Sequence, residues 1–317
     1  MDSQEGCSPF LKWAGGKRWL SPLLVPLIKK ELQKTQGEYF EPFLGAGALF
    51  FALSPEKATV SDINKNLVEV YFEVKRNWLA IVNEIKTWPV NKEYYYSLRE
   101  SVPSKRFERA CRFLYLNRTC YGGLYRENRL GLFNVPYGGG RTHSALWEKQ
   151  LLQVASQALK GDLYIECSDF EALVNRAKEG DVVYCDPTYS TKQRKQFDRY
   201  GKTIFNWADQ LRLAVSAERA MNRGALVIVS NSGCFQLNDF YPRAYRIELK
   251  KSKTIGNKAK SKSVHKESLY ILDPKSRRSH WGRLGNILNR KSTASIVTKA
   301  SDDSAFALDA SELDLKK

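Results

Sequence analysis

The sequence is poor in what metal centres, covalent staples and membrane spans are made of. Its six cysteines, at 7, 111, 120, 167, 185 and 234, include no C-x-x-C pair. In a chain of 317 residues that spacing argues against a disulfide framework and against a zinc knuckle. The three histidines, at 143, 265 and 280, offer no H-x-x-x-H ligand pair. No apolar run approaches the roughly 18 residues of a spanning helix, and the acidic start lacks the apolar core of a secretion signal. The expectation is a cytoplasmic protein with reduced thiols, no metal and no membrane contact. Acidic residues are also in deficit, 34 against 51 lysines and arginines, for a formal charge of +17. Such an excess speaks to a polyanionic partner and not to the fold. Sixteen tyrosines and seven tryptophans add the stacking surfaces that nucleic-acid binders use.

Hydrophobic residues make up 43% of the chain, enough for a globular core. Helical periodicity predicts helices over 21–34, 64–86, 105–118, 145–159, 169–178 and 207–222. Short apolar runs predict strands near 37–41, 57–61, 162–166, 181–185 and 225–230, with 243–250 and 267–272 closing the sheet. This alternation implies an α/β fold with a mostly parallel sheet and helices on both faces. Residues 91–143 break the alternation. They hold one clear helix and then a long Gly-, Asn- and Arg-rich stretch, the kind of loop that is usually functional. The basic segment 250–266 reads as a loop, and 275–317 as a flexible tail with one short helix near 281–290. No internal repeat is present.

Three strand ends carry polar turns. Glu41-Pro42-Phe43-Leu44-Gly45-Ala46-Gly47 follows the first strand, and its glycines permit close backbone approach to a ligand. A dinucleotide fingerprint would need a further glycine where Phe50 stands. A nucleoside ligand without a pyrophosphate therefore fits better. Asp62, in Ser61-Asp62-Ile63-Asn64, can accept from a ribose hydroxyl pair or cap a helix. Asp186-Pro187-Thr188-Tyr189 follows the run Val182-Val183-Tyr184-Cys185. A carboxylate and a proline carbonyl there can accept both hydrogens of an exocyclic amine, while an aromatic ring stacks on the base. Two acceptors localise the amine lone pair and aim it at an electrophilic methyl carbon. Cys185, inside the strand, reads as a small buried filler and not as a nucleophile.

K-W-A-G-G-K, E-P-F-x-G-A-G, S-D-I-N, L-N-R-x-x-Y-x-G-L, F-N-V-P-Y-G and V-V-Y-C-D-P-x-Y stand in the order seen in Dam-type DNA adenine N6-methyltransferases, and residues 9 to 273 resemble that family. The resemblance implies an α/β, Rossmann-like class I S-adenosylmethionine-dependent methyltransferase sheet with an inserted, mostly helical DNA-recognition domain. The catalytic domain would be 9–70 and 144–273, and the recognition domain 71–143. It implies S-adenosyl-L-methionine as cofactor, held by Trp13, Lys17, Asp62 and Ile63 over a floor of Glu41, Phe43, Gly45 and Gly47. Asp169 and Phe170 would contact its adenine. Asp186, Pro187 and Tyr189 would form the catalytic pocket, with Asp186 also beside the cofactor. Lys12, Tyr121, Leu124, Arg126 and Arg141 would meet double-stranded DNA, supported by Pro136. Arg126 would read a guanine, and the default target is GATC.

The implied protein is a monomer acting at the nucleoid, with a possible cognate restriction endonuclease. Thr188 stands where the family has a second proline, and Gly122 where Dam has asparagine. Methylation of cytosine N4 or of an RNA base by the same pocket, or a non-catalytic DNA-binding homologue, are the alternatives at this level.

Overall fold

The computed structural model describes residues 7–13, 15–128, 130–139, 149–188, 205–232, 235–254, 262–277 and 281. Its centre is a seven-stranded sheet: β1 (Tyr39–Glu41), β2 (Lys57–Asp62), β3 (Asp162–Cys167), β4 (Val182–Cys185), β5 (Leu226–Ser232), β6 (Tyr245–Thr254) and β7 (Lys262–Leu272). The spatial order is β3-β2-β1-β4-β5-β7-β6. The first five strands pair in parallel, and β7 runs antiparallel to both β5 and β6. The Rossmann-like α/β sheet expected from the sequence is present. Its order reverses between β1 and β4, which opens a ligand crevice at their carboxyl ends.

Two-residue alternation along the strands splits the apolar residues between two layers. Tyr39, Val182, Tyr184 and Ile228 face one layer, together with α1 (Ser21–Thr35), α2 (Ala48–Leu53), α3 (Lys65–Ile85) and α5 (Arg106–Thr119). Phe40, Val183, Cys185 and Val229 face the other, packed on α7 (Phe170–Val174) and α8 (Trp207–Asn222). β4 is buried on both faces, which is why it reads as an unbroken apolar run. The remaining helices are α4 (Lys92–Glu100) and α6 (Lys149–Ala158).

Three expectations are corrected. The 91–143 region holds a second helix, α4, whose nine residues are fewer than the roughly 11–18 over which helical periodicity is read. Its cap was visible: the Asn91 side chain accepts from the Tyr94 amide at 2.8 Å. The basic stretch 250–266 is not simply a loop. β6 and β7 run into it, and their pairing extends from Tyr245↔Ile271 to Thr254↔Lys262. Antiparallel backbone bonds need no apolar side chain, so a hairpin ladder continues where an apolar pattern stops. The helix expected over 169–178 is only the five residues of α7. The predicted short helix at 281–290 and nearly all of the tail lie outside the described residues.

Helix α5 is tied to α3 by charge. Arg109 forks onto Glu69 of α3 at 2.8 and 2.9 Å, and Arg106 reaches Glu73 at 2.6 Å. A β-arm over residues 120–137 follows α5, closed by the antiparallel bridges Cys120↔Tyr137 and Glu127↔Phe133. Helix α4 holds this arm: the Tyr95 hydroxyl donates to the Val135 carbonyl at 2.8 Å.

The strand entries meet at Gly37, where a Cβ would overlap the Gly180 carbonyl and crowd the Asp181 amide. There Thr35 Oγ1 donates to the Gly180 carbonyl at 2.6 Å, and the Glu38 amide to Asp181 Oδ1 at 2.8 Å. Gly37→Ala is expected to cost about 2 kcal/mol or more, because backbone cannot step aside as a side chain can. Urea unfolding of the two proteins checks this; an unchanged midpoint would contradict the close approach.

Candidate active site

The crevice is built from the turns that follow β1, β2, β3 and β4. After β1, Gly45 (φ 49°) and Gly47 (φ 66°) adopt left-handed backbone. A Cβ on Gly45 would stand 3.0 Å from the Trp13 indole, so glycine lets the Trp13 ring close on this turn. The Gly45 amide donates to Asp62 Oδ2 and the Asn64 amide to Asp62 Oδ1, each at 2.9 Å. The Tyr71 hydroxyl donates to the Gly45 carbonyl at 2.9 Å. Burial raises the Asp62 pKa, and the backbone amides work against the rise.

After β4, Asp186 is clamped. Lys17 Nζ donates to Asp186 Oδ1 at 2.8 Å and lies 3.5 Å from Glu267 on β7. Ser230 Oγ, on β5, donates to the same Asp186 oxygen at 2.9 Å and is itself 3.0 Å from the Tyr184 hydroxyl. Oδ2 has no protein partner among the described residues. Burial raises the Asp186 pKa, while Lys17 and Ser230 pull it down. Pro187 is buried and Thr188 is exposed at the mouth. Cys185 is fully buried, and burial pushes its thiol up, so it does not serve as a nucleophile.

Between the two carboxylates lies Glu41, buried, with the Tyr39 hydroxyl donating to it at 2.8 Å. An aromatic corner closes the far side: Phe43 stacks on Phe170 at 5.3 Å, and Phe205 meets both edge-on. The Arg212 guanidinium lies 4.8 Å over Phe170 and donates to Asp169 Oδ1 at 2.7 Å. The open-mouthed cavity is about 670 Å³ and is lined by Trp13, Lys17, Glu41, Phe43, Gly45, Asp62, Ile63, Asp169, Phe170, Asp186 and Pro187 among others. A nucleoside-sized group fits such a space, with buried acceptors at one end and stacking rings at the other.

The structure thus brings together every cofactor-site residue named from sequence except Gly47, which starts α2 beside the cavity. Tyr189 lies outside the described residues, as does Arg141. The sequence reasoning missed Ser230, Glu267, Phe205 and Arg212. Of these, only Ser230 carried a signal, a polar residue at the carboxyl end of a parallel strand.

On the arm, Tyr121 and Leu124 are exposed at 64% and 42%, unusual for large apolar side chains. Exposed Arg126 donates through Nε to Asn134 Oδ1 at 2.7 Å. The Pro136 carbonyl accepts from the Tyr121 amide at 2.9 Å. Lys12 lines a second cavity of about 300 Å³ with Arg18 and the Gly122–Leu124 backbone. Among the described residues no cluster of three or more His, Cys, Asp or Glu could hold a metal ion, and no helix is long and apolar enough to cross a membrane.

Burial pushes the Glu41 carboxyl up to about 8, against the opposing Tyr39 bond. Between the ordinary carboxyl range and that value the folded chain keeps a proton that the unfolded chain has lost. Stability from this group therefore falls as pH rises, and the fall is complete once Glu41 ionises in the native state. Glu41→Gln should remove that loss. Its melting temperature should gain on wild type steadily from about pH 5 to about pH 8; parallel melting curves across that range would contradict the assignment.

With this geometry in view, known proteins were compared. The family described as D12 class N6 adenine-specific DNA methyltransferase matches residues 13–267. The type II methyltransferase M1.LlaDCHI of Lactococcus lactis subsp. cremoris is 34% identical over 264 residues, covering 80% of this chain and 91% of that protein. The type II methyltransferase M.MjaIII of Methanocaldococcus jannaschii is 35% identical over 244 residues, covering 71% and 84%. The DNA adenine methylase of Escherichia coli K12 is 34% identical over 273 residues, covering 84% and 95%. The matched residues take in all the turns that build the cavity and the β-arm as well. The chain therefore belongs to the D12 class of N6 adenine-specific DNA methyltransferases, enzymes whose methyl donor is S-adenosyl-L-methionine.

Proposed function

We propose that the chain methylates N6 of an extruded adenine in double-stranded GATC sites, with Asp186 and Pro187 as the acceptors that hold the amine. The observation that carries this is the clamp on Asp186. Lys17 and Ser230 fix one carboxylate oxygen, and the other is left to accept from a substrate amine. The fixed acceptor needs no reorganisation when the amine arrives. The Pro187 carbonyl is the second acceptor, at a turn that proline stiffens.

S-adenosyl-L-methionine supplies the activated methyl group when bound. Asp62 would accept from its ribose hydroxyls, and Phe43 and Phe170 would hold its adenine, with Asp169 at the rim. Trp13 and Glu41 would line its middle. The fit rests on the nucleoside-sized cavity, the buried acceptor at Asp62 and the aromatic corner.

Residues 71–143 serve as the target-recognition region. The exposed Tyr121 and Leu124, and an Arg126 guanidinium held in plane by Asn134, support this. Arginine forks onto the O6 and N7 atoms of guanine, which fits the guanine of GATC. The positive balance of charge suits a phosphate backbone. The type II methyltransferase names of two relatives support a pairing with a cognate nuclease in the same cytoplasm, at the nucleoid.

Sequencing of DNA from cells expressing the chain, read for modified bases, tests the reading: N6-methyladenine confined to GATC is expected, and methylation elsewhere only would overturn the site. Asp186→Asn should lower kcat by about 100-fold or more, with affinity for S-adenosyl-L-homocysteine changed only a few-fold. Unaltered turnover in that variant would remove Asp186 from the chemistry. Arg126→Ala should cost about 1–3 kcal/mol of discrimination at a single base pair. Methylation rates on duplexes substituted at each position measure it, and a uniform loss over all of them would assign Arg126 to the phosphates instead.

A further inference from the structure

We propose that Tyr125 is a positioning residue that couples donor binding to target readout. Seating the methyl donor fixes Trp13 and the turn after β2, and Tyr125 transmits that order to the backbone aiming Leu124 and Arg126. The inference rests on the functional reading above for the roles of the cavity and the arm.

The arm backbone is extended at Leu124 (φ −72°, ψ 148°), so neighbouring side chains point to opposite sides. Leu124 and Arg126 are exposed, and Tyr125 between them turns inward. Its ring lies in a three-ring cluster in which Trp13 and Phe113 also face each other, at 6.4 Å and 16°. Trp13 is 5.0 Å away at 24°, and Phe113 of α5 is 5.1 Å away at 27°. Phe133, on the opposite side of the arm, packs against it at 5.7 Å. The other edge of Trp13 closes on Gly45 of the donor cavity. One path from the cavity to the arm is therefore ring on ring.

The turn after β2 leads to the same side chain. The Tyr125 hydroxyl donates to Glu127 on its own arm, and Asn66, in the first turn of α3, lines the same small cavity as Tyr125 and Glu127. Asn64 caps α3 and donates its own amide to Asp62 Oδ1 at 2.9 Å. Asp62 lines the cavity. The Trp13 edge of the donor site thus reaches this side chain ring on ring, and the Asp62 turn leads into the start of α3 that flanks it. Ordering that side chain once serves both ligands, which makes the two binding events favour each other. By linkage the effect is reciprocal.

A purely structural Tyr125 would fill space between α5 and the arm and would transmit nothing. Amide hydrogen exchange separates the two roles. S-adenosyl-L-homocysteine is the probe, its binding first measured by calorimetry on the intact chain. In wild type the bound probe should slow exchange of arm amides over residues 121–135 by about fivefold or more. Tyr125→Phe should keep that slowing, because the ring stack survives. Tyr125→Leu should lose it while amides of β4 and β5 remain protected. Probe bound to wild type with no change in the arm overturns the inference and leaves the methyltransferase reading standing. Equal slowing in Tyr125→Leu also overturns it. If the probe does not bind wild type, the donor site itself falls, and the inference falls with it.

Discussion

The ion pair between Lys17 and Asp186 joins residues 169 positions apart and sets the geometry of the cavity. Lys17 ends the turn that begins with Trp13, and Asp186 ends the central strand β4. Ser230 and Glu267 bring in β5 and β7, so four separate segments meet at one ammonium and one carboxylate. A buried charge pair of this kind adds little net stability, because desolvation offsets the attraction. What it contributes is position. Removing either partner strands the other in a site with little water, so the pair is far more costly to break than it was profitable to make. Burial raises the Asp186 pKa while Lys17 and Ser230 oppose the rise, so the contacts that fix the carboxyl group in place also favour its ionised form.

The Trp13 turn does two jobs because of where that pair pins it. With Lys17 fixed at β4, the Trp13 ring lies between Gly45 and Tyr125. The same turn also holds the recognition region by backbone. The Lys12 amide donates to Asn117 Oδ1 at 3.0 Å, and Asn117 Nδ2 donates back to the Lys12 carbonyl at 2.7 Å. Arg118 reaches the Phe10 carbonyl at 2.7 Å. The amino-terminal segment is thus a strap between cavity and arm. Helix α4 braces the arm from its other side through Tyr95, and Arg112 of α5 ties back to α4 through the Leu98 carbonyl at 2.8 Å. The arm therefore has a frame of its own, and its exposed side chains stand on backbone that is held from both directions.

Much of this was legible in the sequence. Strands β1, β2 and β4 betray themselves as buried runs that lead into acids, since burial and a polar carboxyl end are local properties. Asp62, Asp186 and the glycine turn are readable for the same reason. The rest depends on contacts distant in sequence. Ser230 is one serine among many until β5 pairs with β4 and sets it against Asp186. Glu267 and Arg212 look like solvated charges until folding brings them to Lys17 and Phe170. Helix α4 places Tyr94, Tyr95, Tyr96 and Leu98 against the core, but at nine residues it is too short for that pattern to stand out from a loop-rich stretch. The β6–β7 ladder leaves none, as its polar half is held by backbone bonds.

The two departures from the Dam pattern, Thr188 and Gly122, share a location that explains why the fold absorbs them. Both are exposed, Thr188 at the cavity mouth and Gly122 on the arm. Neither takes part in the clamp on Asp186 or in the stack from Trp13 to Phe113. Pro187, whose carbonyl is the second acceptor in the proposed function, is buried and unchanged. Gly122 sits at φ 64°, a backbone region that asparagine also tolerates, so the arm keeps its path with either residue. What differs is the surface offered to the substrate: a side chain is withdrawn at 122, and a hydroxyl replaces a ring at 188. Changes of that kind act on which bases are met at the rim and how closely. The positioning of the acceptor is set deeper, by Lys17 and Ser230, and does not pass through either residue.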